Sequence, residues 1–190
     1  MKPQVRVLGI DDAPFSFEDE RVEIVGVVVR APSYVEGIMV SEVEVDGDDA
    51  TDTVADMIQR SRFRETLALI MIDGVAFGGF NVVDIEELYE RISVPVATIT
   101  RKEPDMEAIE KALKARFSDW ESRMEIIKRS VLERVETPHK PLYVFSVGLS
   151  MEEVRSLIRR STVRGALPEP LRIAHLVATA IKVGESRGSS

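Results

Sequence analysis

The chain has 190 residues, 44% hydrophobic and 31% charged, with a formal net charge of −8 and no cysteine. That length supports a core of ordinary size and that composition a folded chain, while the missing thiols exclude a disulfide framework and a cysteine nucleophile or metal ligand. The acidic balance argues against bulk electrostatic binding of nucleic acid, and the absence of a window of roughly 18 uncharged apolar residues argues against a membrane span.

Met1-Lys2-Pro3-Gln4 runs directly into a strand pattern and lacks a signal-peptide apolar region, so a cytoplasmic protein is expected. Val5 to Ile10 reads as a strand closed by Asp11-Asp12. The β-branched run Val22 to Arg30 and the alternating run Gly37 to Val45 read as two more, joined to the first as sequential antiparallel neighbours. Asp49-Ala50-Thr51-Asp52 offers N-cap residues to a helix reaching about Ser61. Leu67 to Ile72 is a strand ending in Asp73-Gly74, Val83 to Ile92 a helix, and Val94 to Thr100 a strand that tolerates Pro95 at its start. From Asp105 to about Glu136 the pattern is helical with a break near Ser118, and Leu142 to Phe145 is a short extended segment. Ser150 caps a helix from Met151 to about Arg160, and Pro168 sits just inside a last helix ending near Lys182. This order predicts an α/β fold, a ribonuclease H-like mixed five-stranded sheet flanked by helices. It predicts one domain over 1–190 with a frayed tail from 183 to 190.

Two strands ending in carboxylates, Asp11 and Asp73, would place two oxygens where a divalent cation can bridge them if the strands are neighbours. Asp11 and Asp12 must point to opposite faces of a strand, so one of them can join such a site and the other is left to cap or pair. Asp-Asp-Ala-Pro is equally good turn chemistry. Asp46-Gly47-Asp48-Asp49 reads either as a turn and helix cap or as the completion of a carboxylate cluster, and it lacks the EF-hand spacing. Hard oxygen ligands of this kind select Mg²⁺ or Mn²⁺, and two such ions can activate water in phosphoryl transfer. Gly74, Gly78 and Gly79 follow a strand without forming a Walker A or dinucleotide motif, and would let a substrate backbone approach. Arg101-Lys102 reads as a phosphate contact or a solvated strand end. His139 falls in a loop; His175 lies beside an apolar stripe of Leu171, Ala174, Ala178 and Ile181 on the final helix.

Pro141 to Gly148 and Arg164 to Leu176, with Leu8-Gly9-Ile10-Asp11, Ile72-Asp73-Gly74 and Val94 to Lys102, resemble the endonuclease V family. They resemble more closely its archaeal DUF99 (UPF0215) relatives, some of which are called endonuclease dU. The resemblance implies a Mg²⁺-dependent (or Mn²⁺-dependent) DNA-repair endonuclease acting on DNA, with RNA left open. Asp11 and Asp73 would hold the metal, Lys102 would neutralise the phosphate and His175 would orient water or phosphate. Tyr34-Val35-Glu36-Gly37 is similar to that family's base-pair wedge, and Arg101, Arg172, Gly74, Gly78 and Gly79 would join Tyr34 along the nucleic acid. For the third carboxylate Glu42, Glu44, Asp46, Asp48 and Asp49 compete, and Asp46 or Asp49, nearest the helix start, is expected. Glu36 replaces the wedge proline and Gly78-Gly79-Phe80 replaces a His-Pro-Arg, which points from hypoxanthine toward a deoxyuridine-type lesion. The same replacements motivate a rival reading, a nucleic-acid-binding module that has lost cleavage.

Overall fold

The computed structural model describes residues 5–186, so residues 187–190 of the expected frayed tail lie outside it. β1 (Arg6–Asp12), β2 (Arg21–Arg30) and β3 (Tyr34–Glu44) form the expected antiparallel meander. After α1 (Ala50–Gln59) and a single 3₁₀ turn (Arg64–Thr66), β4 (Leu67–Asp73) returns parallel to β1 on its free side. A small hairpin, β5 (Ala76–Phe77) with β6 (Asn81–Val82), leads to α2 (Ile85–Ile92) and to β7 (Val96–Thr100), parallel to β4. Then follow α3 (Met106–Arg116), α4 (Trp120–Arg129), β8 (Glu133–Val135), β9 (Leu142–Val147), α5 (Met151–Ser161) and α6 (Glu169–Val183). The main sheet runs β3-β2-β1-β4-β7-β9-β8.

The ribonuclease H-like plan holds, but the sheet has seven strands rather than five. β9 is a full antiparallel partner of β7. β8 lies at the end of the stretch that reads as helix to Glu136; its three residues pair with β9 at the sheet edge. Its Glu-Arg-Val composition carries no local strand signal, so pairing alone makes it a strand. The break near Ser118 is real and separates α3 from α4.

Leu8, Ile10, Ile70 and Ile72 are fully buried against α1 and α2. Their alternates Val7, Leu69, Met71 and Ala97 are fully buried against α5 and the start of α6. Burial on both faces explains why the central strands read as continuous apolar runs. Ser150 and Glu153 cap α5 reciprocally, and the Asp84 carboxylate accepts from the N–H groups of Glu86 and Glu87 at α2. α3 and α4 rest on a separate apolar cluster around Leu113, Met124 and Ile127. Arginines reinforce it: Arg123 Nη1 donates to the carbonyls of Asp46 (3.2 Å), Gly47 (2.8 Å) and Phe80 (2.6 Å), and Arg129 pairs with Asp84 at 2.6 Å. No helix among the described residues is long and apolar enough to cross a membrane.

At the amino end of β1, Arg6 and Arg30 both grip Glu36, with Arg30 Nε 2.9 Å from Oε1. The two guanidiniums hold the Glu36 carboxyl below the usual range. A depressed acid contributes stability above its unfolded pKa and loses it as pH falls through the folded value. Glu36→Gln is therefore expected to lower the melting temperature at neutral pH, with the difference from the parent closing on acidification. A constant difference from pH 7 down to pH 3 would count against it.

Candidate active site

β1 and β4 pair in parallel with Ile10 opposite Ile72, so the next residues, Asp11 and Asp73, stand side by side at the carboxyl ends of the two strands. Both share the sheet face that carries Gly9, and α6 descends onto that glycine. A Cβ there would lie 2.3 Å from the Pro170 carbonyl carbon and 2.5 Å from the Leu171 nitrogen. The close approach sets the start of α6, and less than two turns later His175 Nδ1 lies 2.8 Å from Asp11 Oδ2. Asp11 is 5% exposed, and its Oδ1 accepts the Asp12 N–H at 2.9 Å. The Asp11 contact holds His175 above its ordinary pKa range.

Burial, then repulsion from Asp11, pushes Asp73 up to about 6, against the opposing pull of Arg101 and His175. Two carboxylates forced together in a half-dry cleft, with an imidazole and a guanidinium close by, form an electrostatically frustrated pair that a cation would relieve. Asp12 points to the opposite face and accepts the Gly78 N–H at 2.7 Å; burial raises it to about 6 as well.

The remaining expected residues divide. Gly74, at φ +75, has open space where a side chain would stand, and its N–H donates to the Ile99 carbonyl at 2.9 Å. Arg101 acts on the pair through its charge, whereas the recorded contacts of the exposed Lys102 are backbone ones to the Thr100 hydroxyl. Arg172 is ion-paired with the buried Glu169 at 2.6 Å. Gly78 and Gly79 pack on the β3–α1 loop, where a Cβ on Gly79 would lie 2.3 Å from Asp46 Oδ1. Tyr34 is 66% exposed beside Arg30, at the amino end of β1, roughly 17 Å along the sheet from Asp11 at about 3.3 Å per residue.

Neither expected third carboxylate is brought to the pair. Asp46, at φ +58, accepts the Phe80 N–H at 2.9 Å and is ion-paired with Arg116. Asp49 accepts from the Glu44 N–H at 3.0 Å and the Asn81 amide at 2.7 Å, and pairs with Arg21 at 3.2 Å. Both are loop fasteners. The acid that does share the face is Glu23. Asp11 lies opposite Val25 of β2, so Glu23 is two residues on, toward the same edge and on the same side. Its Oε2 is buried without a hydrogen-bond partner. A charged residue inside a β-branched strand buried on both faces is the signal by which sequence alone could have found it. Among the described residues no three His, Cys, Asp or Glu side chains are already gathered as a metal cage.

Fold and site together define a ribonuclease H-like protein with a carboxylate pair at the ends of two central strands. Residues 3–182 match the endonuclease dU family model, and the chain belongs to that family. It is 47% identical to a UPF0215 protein of Methanothermobacter thermautotrophicus over 100% of this chain and 94% of the relative. A crystal structure of an Archaeoglobus fulgidus protein of unknown function superposes with a TM-score of 0.84 at 39% identity, covering 93% of this chain and 98% of that one. Ciona intestinalis endonuclease V, solved with a 24mer DNA containing an inosine followed by a ribo-adenosine, shares the fold with a TM-score of 0.56 at 14% identity, covering 90% of this chain and 83% of that one.

Proposed function

We propose that this chain, acting as one domain over 1–190, is a cytoplasmic divalent-metal-dependent endonuclease. It hydrolyses a phosphodiester of DNA beside a damaged or deaminated base, with a deoxyuridine-type lesion favoured. The observation that carries the reading is the in-register pair Asp11 and Asp73, with His175 fixed to one member and an orphaned Glu23 oxygen on the neighbouring strand. The donors are hard oxygens, which suit Mg²⁺ or Mn²⁺. Asp11, Asp73 and Glu23 would hold the ion, which supplies a polarised phosphate and an acidified water.

In the hydrolysis a water oxygen bonds to phosphorus, one phosphorus–oxygen bond to sugar breaks, and the departing sugar oxygen takes a proton. Asp11 occupies His175 Nδ1, leaving Nε2 to hold or deliver that proton, and the raised pKa favours the protonated ring. Arg101 balances the charge of the attacked phosphate. The test is a set of labelled strands carrying deoxyuridine, deoxyinosine, deoxyxanthosine or an abasic site, incubated with Mg²⁺, Mn²⁺ or chelator. Nicking that needs metal and prefers deoxyuridine is expected; no nicking of any strand in either metal would refute it. Independently of turnover, Glu23→Gln is expected to weaken Mn²⁺ binding, read by water-proton relaxation, by roughly 10-fold or more. Glu42→Gln, across the strand pair from Glu23, should leave it unchanged.

A further inference from the structure

The main sheet ends on one side at β3, an edge strand of 11 residues. Its carboxyl end is closed by the chain itself. Glu44 gives its N–H to Asp49 Oδ1 at 3.0 Å, and its carbonyl accepts the Asn81 amide at 2.9 Å. The Glu42 carbonyl accepts Arg21 Nη2, also at 2.9 Å. The next N–H along, that of Val45, turns the other way to the Glu20 carbonyl at 3.0 Å. Backbone groups alternate between the two edges of a strand, and the β2–β3 register is unbroken from Gly37 to Glu44. Ile38 and Val40, in step with Glu42 and Glu44, therefore point their N–H and C=O groups outward, and the sheet has no strand beyond them.

The side chains repeat the pattern. Ile38 lies opposite Val27 and Val40 opposite Val25, on the face that carries Asp11, yet they are 50% and 54% exposed. On the other face a hollow of ≈ 650 Å³ runs between β3 and α1, lined by Met39, Met57 and Phe63 and by Asp56 and Arg60. Edge strands are ordinarily guarded by a charge, a proline or a covering loop. Gly37-Ile38-Met39-Val40-Ser41 carries neither charge nor proline.

We propose that β3 pairs antiparallel with β3 of a second copy of this chain, joining the two sheets across a two-fold axis at Met39. About that axis Ile38 meets the partner's Val40 and Val40 the partner's Ile38. The outward N–H and C=O groups of both residues are then satisfied, and their apolar side chains cover one another. The same axis sets α1 antiparallel to its counterpart, with Arg60 toward the partner's Asp56 and Asp56 toward the partner's Arg60. Those two side chains are 82% and 59% exposed, and within the chain they pair with each other at 3.2 Å. The reciprocal match is what selects a second copy, because a strand of unrelated sequence would gain the backbone bonds without the charge pairs. The carboxylates stay open, since Asp11 lies on β1, two strands in from the pairing edge. The pairing does not depend on the nuclease reading.

Sedimentation equilibrium of the whole chain is expected to show a monomer–dimer equilibrium, with the Ile38 and Val40 amides exchanging more slowly with deuterium as the dimer fills. Val40→Lys puts a charge on the edge and should weaken the dimer by roughly 10-fold or more with far-ultraviolet dichroism unchanged. Arg60→Glu and Asp56→Lys each set like charges against one another twice across the axis, and each should weaken it by roughly 10-fold or more. Mixed one to one, these two variants should recover native strength, because every pair across the axis again joins unlike charges. A monomer at all concentrations would overturn the pairing and leave the edge to a strand of another protein. A dimer untouched by Val40→Lys, or charge variants that fail to rescue each other, would overturn it as well.

Discussion

Asp73→Asn is expected to reduce metal-dependent nicking by more than about 100-fold, beyond the roughly 10- to 100-fold that follows loss of a metal ligand's outer partner. The same change should raise the melting temperature of the chelator-treated protein. Asp73 is half-buried next to Asp11, and its pKa of about 6 lies above the ordinary 3.8. Between those values the folded chain retains a proton that the unfolded chain releases, so stability falls as pH rises through that window and stays reduced above it. The liability is on the order of 2 kcal/mol after allowance for partial solvent access. An amide at 73 carries no such charge. The stabilisation should be full at pH 8 and shrink toward pH 4, in parallel melts of native and variant protein. Retained nicking, or a lower melting temperature at pH 8, would remove Asp73 from its assigned place.

Gly9→Ala is expected to damage both stability and activity without touching a charged group. The added methyl would stand 2.3 Å from the Pro170 backbone, and backbone cannot rotate aside as a side chain can. Overpacking of this kind costs about 1–3 kcal/mol. The relief available is for α6 to lift, and α6 carries His175, whose ring is positioned by a 2.8 Å contact with Asp11. Misplacement by about 1 Å can cost on the order of 100-fold in rate. The check is a paired measurement, a melt and a nicking rate, beside Gly26→Ala. There the added Cβ would meet side-chain atoms at 3.2 Å or more, so a small effect is expected. Equal outcomes at Gly9 and Gly26 would refute the coupling.

The strands that carry the site are legible because their composition is extreme: apolar runs stopped by aspartates are visible without any partner. That Asp11 meets Asp73 is a long-range fact, fixed by the parallel register of β1 and β4 and by chain that must first leave through the β2–β3 meander. The last helix was visible as an amphipathic element, yet the descent that brings His175 to Asp11 depends on a glycine whose importance appears only when α6 is seated on it. Asp46 and Asp49 drew attention by density, but density near a turn marks backbone donors needing acceptors, and the Phe80 and Glu44 N–H groups claim them. Glu23 was hidden for the opposite reason. It stands alone in a hydrophobic strand, and only the register of β2 on β1 shows which face it shares. β8 was unreadable because three edge residues acquire their conformation from β9.

The α3–α4 pair rests on an apolar cluster shared with the β5–β6 hairpin and on three arginines, Arg116, Arg123 and Arg129, that hold it to the β3–α1 loop, the Phe80 carbonyl and the start of α2, while the carboxylates belong to the sheet. Exchanges at Ile109 or Ile127 therefore change how that pair packs without altering the spacing of Asp11 and Asp73, which the β1–β4 register fixes.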